Sequence, residues 1–151
     1  MWLSPSRTCR HLMPLKVRLK PSEKVVINGA VMTAGDSGAT LVLHNKASLL
    51  RAKDIMQEED ADTPAKRIYF MIMLMYLDPE NKADYMEQYM GFAMDLMSAS
   101  SLPPLKKSLA LIHQDVSEGE FYRALKTCRA VMKLESELLA LAEHPVEEEA
   151  S

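Results

Sequence analysis

Lys16, Arg18 and Lys20 stand two residues apart, with Leu15, Val17 and Leu19 interleaved. Successive side chains of an extended chain point to opposite faces, so the cations share one face and the apolar residues the other. Cations repeating about every 6.6 Å along a strand can neutralise phosphates of a polyanion, an interaction that weakens steeply with salt. Lys24, Lys46, Arg51 and Lys53 fall at turns and strand ends nearby, and Lys66 and Arg67 at the start of a later helix could join them. The competing reading is an ordinary solvated sheet face. No Phe, Tyr or Trp lies between Leu15 and Arg51, so this stretch lacks the aromatics on which RNA-reading sheets stack bases.

No catalytic set accompanies these cations. His11, His44, His113 and His144 show no close pairing and no H-E-x-x-H spacing, and Cys9 and Cys128 form neither a zinc pattern nor a disulfide framework. Gly35-Asp36-Ser37-Gly38 is a turn signature, not a phosphate loop. Glu58, Glu59 and Asp60 are adjacent carboxylates in an acidic connector, the pattern of a solvated loop. The expectation is a binding protein, not an enzyme, with no cofactor and no metal. Two cysteines without a scaffold fit a reduced, cytoplasmic protein.

A second binding signal is the methionines, seven of twelve lying between Met71 and Met97. Flexible thioethers fill cores, which is the default reading, but they also line grooves that accept helical partners. Tyr85, Tyr89, Phe92 and Leu96 recur at helical spacing, with Met86, Met90, Ala93 and Met97 as a neighbouring stripe. Met86, Tyr89, Met90, Phe92 and Met97 are the candidate lining of a protein-partner groove.

These residues need elements to hold them. Leu15–Lys20 reads as a strand, and Lys24–Ile27 and Ala30–Met32 as a hairpin about Asn28-Gly29, whose two central positions need positive φ. Ala39–His44 and Leu49–Arg51 complete four or five short strands. Thr63-Pro64 is a helix-start signal, and Ile68–Leu77 carries no polar side chain except two tyrosine hydroxyls. A helix apolar all round and too short for a membrane must be wrapped by protein. Asp78-Pro79 should cap and open the next helix. Leu105, Leu109, Ile112 and Val116 mark a third. Ser117-Glu118-Gly119-Glu120 matches an S-x-x-E capping box opening a fourth, which carries Phe121, Leu125, Cys128 and Met132, then Leu138, Leu139 and Leu141.

The fold expected is α+β, a small N-terminal antiparallel β-sheet of four or five strands packed on a C-terminal bundle of about four helices. Residues 13–52 form a basic β-rich lobe and 53–144 a helical lobe of the same domain; 145–151 is an acidic disordered tail. Residues 1–12 read as a non-structural extension or start-site overcall, with Met13 the alternative start. The formal net charge of −3 conceals a division: residues 1–53 hold nine Lys/Arg and two acids, net +7, which leaves −10 for the rest. Such a split points to one face for an anionic partner.

Met13 to Val31, Ala47–Arg51, Lys53–Asp60, Thr63–Phe70 and Leu74–Pro79 together resemble the FlbT family, the bacterial flagellum biosynthesis repressors, and the likeness runs from Met13 to about Leu141. The resemblance implies a cytoplasmic post-transcriptional regulator. It would bind the 5′ untranslated region of flagellin mRNA, lower translation and promote decay of the message, with a recruited ribonuclease cutting it. The implied partners are the flagellin mRNA leader and the small helical flagellar protein FlaF, with flagellin itself a further candidate, and no membrane. It transfers no RNA-contact residues, so the basic set stays an inference from charge. Two readings stand: an RNA-binding repressor that uses the cationic sheet, and a chaperone-like protein-binding module whose helices hold FlaF or flagellin and affect mRNA indirectly.

Overall fold

A computed structural model describes residues 14–143. The expectations for residues 1–12, Met13, His144 and the 145–151 tail lie outside the described residues. The fold is α+β, and the chain divides between Ile55 and Met56 into two compact units.

The first unit holds five strands: β1 (Leu15–Leu19), β2 (Lys24–Ile27), β3 (Ala30–Thr33), β4 (Ala39–Leu43) and β5 (Leu49–Arg51). They form two antiparallel sheets instead of the single sheet expected, β1–β4 and β3–β2–β5. The Asn28-Gly29 hairpin is as read, with φ of 51° and 85° and Ile27 opposite Ala30. The chain leaves the second sheet after β3. Gly38, at φ +77°, turns it so that β4 runs beside β1; a Cβ there would stand 2.6 Å from the Leu19 carbonyl oxygen, so only glycine fits. Two sheets form because each has an apolar face to cover. Val17 and Leu19 of β1 join Val25 and Ala34 in one core, with Ile27, Ala39, Leu41, Leu43 and Leu49 packed around it. Val26 and Leu50, register partners on the other face of β2 and β5, are buried as well. That second buried face explains why Lys24–Ile27 does not alternate.

The second unit begins with the acidic connector, where Glu58–Asp60 forms one exposed 3-10 turn. Four helices follow: α1 (Pro64–Leu77), α2 (Lys82–Ala99), α3 (Pro103–Ser117) and α4 (Phe121–Glu143). Helix α1 packs on α2 and α4, and α4 packs on α3. The buried residues of α1 include three in a row, Met71, Ile72 and Met73, besides Ala65, Ile68, Tyr69 and Met75, so it is covered around most of its circumference. Its N-terminus is closed twice. Pro64 needs no partner there, and the Thr63 hydroxyl oxygen accepts from the Lys66 N–H at 3.3 Å. From α4, Glu135 accepts from the Ala65 N–H at 3.0 Å and from the Thr63 hydroxyl, placing a carboxylate at the positive end of the helix dipole.

Two sequence expectations need correction. Pro79–Asn81 is a 3-10 turn before α2, and the Asp78 carboxylate caps no backbone N–H. It accepts instead from the Asn81 amide at 2.9 Å and the Tyr85 hydroxyl at 2.8 Å, which together hold its pKa below the ordinary value. Ser117-x-x-Glu120 is not a capping box. Ser117 is the last residue of α3 and donates its hydroxyl to the His113 carbonyl, and Gly119, at φ +78°, ends that helix in the left-handed conformation. The stop signal occupies the residues the start signal would have used.

The reciprocal cap yields a stability test. Glu135→Ala should lower the unfolding free energy by about 2 kcal/mol, since it strips acceptors from a helix N–H and a hydroxyl. Urea denaturation of both proteins measures it, and Glu135→Gln should fall between them.

Candidate nucleic-acid interface

Strand β1 displays its cations as the alternation requires. Lys16 and Arg18 are exposed, and Val17 and Leu19 between them are buried at 7% exposure each. Their cross-strand neighbours on the open face are Val42 and Thr40. Lys20 lies just past the strand end, and Lys24, Lys46 and Lys53 are likewise exposed. None of these six pairs with a carboxylate among the described residues. The strand fixes the backbone of Lys16 and Arg18, so their charges are held in place at little cost in chain entropy.

Arg51 is placed differently from the other cations. Its guanidinium grips Glu23 with two bonds, Nε to Oε2 at 2.9 Å and Nη2 to Oε1 at 3.1 Å, and Nη2 also donates to the Arg18 carbonyl oxygen. Glu23 in turn accepts from the Lys20 N–H at 2.8 Å. These bonds, led by that from Arg51, hold the Glu23 pKa at about 2 against an ordinary 4.5. Arg51 thus ties β5 to the end of β1 across both sheets. Glu23 was passed over in the sequence, yet it is one of only two acids before residue 54, which was the available signal.

Lys66 and Arg67 belong to the second unit. Lys66 forms an exposed i,i+4 pair with Asp62 at 3.4 Å, of little energetic consequence. The Arg67 side chain is exposed and lines a crevice between α1 and α2.

The candidate partner groove separates into different surroundings. Met90, Ala93, Met94 and Met97 of α2 face Leu109, Ala110 and His113 of α3 across an apolar groove of about 390 Å³. Met94, 63% exposed, was missed, although it stands at helical spacing from Met90 and Met97. Tyr89 is fully buried; its ring stacks on His113 with centroids 6.1 Å apart, and its hydroxyl lies 3.4 Å from Nδ1. Burial pushes its pKa up to about 12. Met86 is half-buried, and Phe92 lines the α1–α2 crevice instead. Cys128, fully buried with its thiol toward the Ala65 carbonyl oxygen at 3.6 Å, has its pKa raised by that burial. Among the described residues, no group of three His, Cys, Asp or Glu could hold a metal ion, and no helix is long and apolar enough to cross a membrane.

The fold and these surfaces define an α+β protein of two units, one carrying exposed cations on small sheets and the other an apolar helical groove. The chain belongs to the FlbT family: residues 15–139 match the flagellar protein FlbT. It is 44% identical over 127 residues to the probable flagellum biosynthesis repressor protein FlbT of Caulobacter sp. (strain K31), covering 84% of this chain and 97% of that protein. It is 42% identical over 127 residues to the flagellum biosynthesis repressor protein FlbT of Caulobacter vibrioides (84% of this chain, 90% of the relative). With the probable repressor of Rhodopseudomonas palustris it shares 38% over 128 residues (85% and 99%). No solved structure matches the chain.

The clamp makes stability depend on acid. Unfolded, the Glu23 carboxyl titrates near 4.5, and folded near 2. Its stabilising contribution is therefore complete above about pH 4.5 and drains away as pH falls toward 2. Thermal melts between these limits should show a steeper acid loss for the native protein than for Glu23→Gln, whose profile is flatter and lower at neutral pH.

Proposed function

We propose that this protein represses flagellum biosynthesis, as the names of its relatives state, by binding the 5′ untranslated leader of a flagellin message in the cytoplasm. Binding lowers translation and promotes decay of the message. The observation that carries the reading is strand β1, with Lys16 and Arg18 exposed together on its open face and Lys20 exposed just past its end, in a unit nearly free of acids whose Lys24, Lys46 and Lys53 are also exposed. Such an array matches the phosphates of a single strand and supplies affinity without stacking. Arg51 contributes by holding β1 and β5 together, its guanidinium being engaged by Glu23.

The methionine groove favours a second reading, in which the helical unit holds an amphipathic helix of FlaF or of flagellin. Its lining is flexible and apolar, which suits partners of varied sequence. The two readings are compatible, because they use different units.

A binding titration separates them. Lys16→Glu/Arg18→Glu/Lys20→Glu changes only exposed side chains and should weaken binding of a flagellin leader RNA by at least about a hundredfold at low salt. Unchanged affinity would sink the RNA reading. Met94→Asp, also at an exposed site, should leave RNA binding intact and release co-purifying FlaF or flagellin if the groove holds them.

A further inference from the structure

A sheet that contacts phosphates alone cannot distinguish one RNA sequence from another, since phosphate contacts position a strand and base contacts specify it. Between Leu15 and Arg51 the first unit has no Phe, Tyr or Trp to stack a base. The crevice between α1 and α2 has the complementary composition. It encloses about 250 Å³ and is lined by Arg67, Phe70 and Met71 of α1, Gln88 and Phe92 of α2, and Glu58 of the preceding turn. Two aromatic rings, a guanidinium, an amide and a carboxylate in one small opening differ sharply from the methionine groove, whose lining is almost wholly apolar.

The chemistry of this lining selects its occupant. Phe70 and Phe92 are half-buried, rigid and flat, which suits a planar ring. The volume falls below the roughly 300–1,000 Å³ of pockets that enclose drug-sized ligands, so it fits a single ring system. Glu58 begins the acidic turn Glu58–Asp60 and disfavours phosphate inside the crevice, whereas its oxygens accept from N–H groups. Gln88 is exposed and offers both a donor and an acceptor, the pairing that reads base edges. Arg67 pairs with no carboxylate among the described residues and supplies a cation for the phosphate of the same nucleotide.

We propose that this crevice binds one unpaired nucleobase of the RNA, stacked against the phenylalanines with an amino-bearing edge toward Glu58 and Gln88, its phosphate outside near Arg67. The inference rests on the RNA-binding reading above. It gives the helical unit a part in choosing the message, where the sheet supplies affinity blind to sequence.

The test titrates the wild-type protein, Phe92→Leu and Gln88→Ala with a single-stranded flagellin leader RNA and with copies carrying an abasic site at each position in turn. One abasic position should lower wild-type affinity by about tenfold. Both variants should lose a comparable factor against intact RNA and cease to respond to that abasic site. Gln88 is exposed, so its variant reports even if Phe92→Leu loosens the fold. If both variants bind intact RNA as the wild type does, or no abasic site matters, the crevice assignment is overturned and the RNA reading stands. If wild type binds no RNA, both fall.

Discussion

The grip of Arg51 on Glu23 is the interaction on which the cationic surface depends. Each sheet of the first unit is small, and a two-stranded ribbon such as β1–β4 is marginal alone. The clamp joins β5, the turn before β2 and the carbonyl of Arg18 at the end of β1 through one guanidinium. It works beside the shared core of Val17, Leu19 and Val25, and the polar and apolar contacts fix the same strand. The backbone under Lys16 and Arg18 is fixed because Val17 and Leu19, which alternate with them, are buried. One cation and the acid beside it are thus committed to architecture, and the other cations of the unit among the described residues face solvent.

The helical unit is built on a different constraint. Helix α1 is too apolar to stand in water, and α2 and α4 cover it. Glu135 then answers the polar groups that packing alone would leave at its N-terminus. Beside that filled core, α2 borders an opening on each of two sides, the methionine groove with α3 and the aromatic crevice with α1. Helical spacing divides them, since Met90, Ala93, Met94 and Met97 form one stripe and Gln88 and Phe92 lie on another.

Features set by local chemistry were legible in the sequence. The Asn28-Gly29 turn, the alternation of β1 from Lys16 to Leu19, the Thr63-Pro64 start and the 4-3-4 spacing of Leu105, Leu109, Ile112 and Val116 each follow from neighbouring residues, and the structure carries them, although Leu15, read as part of the buried side, is exposed. What the sequence hid is mostly nonlocal. The pairing of β1 with β4 splits the strands into two sheets, and it depends on Gly38 approaching the Leu19 carbonyl. Arg51 and Glu23 lie 28 residues apart, and Thr63 and Glu135 lie 72 apart. The failed capping box had a different cause, because Gly119 is a helix stop and two signals overlapped on four residues. At the candidate site, cation placement on β1 was readable, whereas the commitment of Arg51 and the meeting of Arg67, Phe70 and Phe92 in one crevice required the fold.

The central claim is that an ordered set of cations holds the phosphates of a message leader. The most direct measurement is the dissociation constant of the unmodified protein for a single-stranded flagellin leader RNA across a series of salt concentrations. Three to six phosphate contacts on a single strand predict that the logarithm of the association constant falls linearly against the logarithm of salt with a slope of about −2 to −4. A slope near zero, or no binding at low salt, would contradict the account.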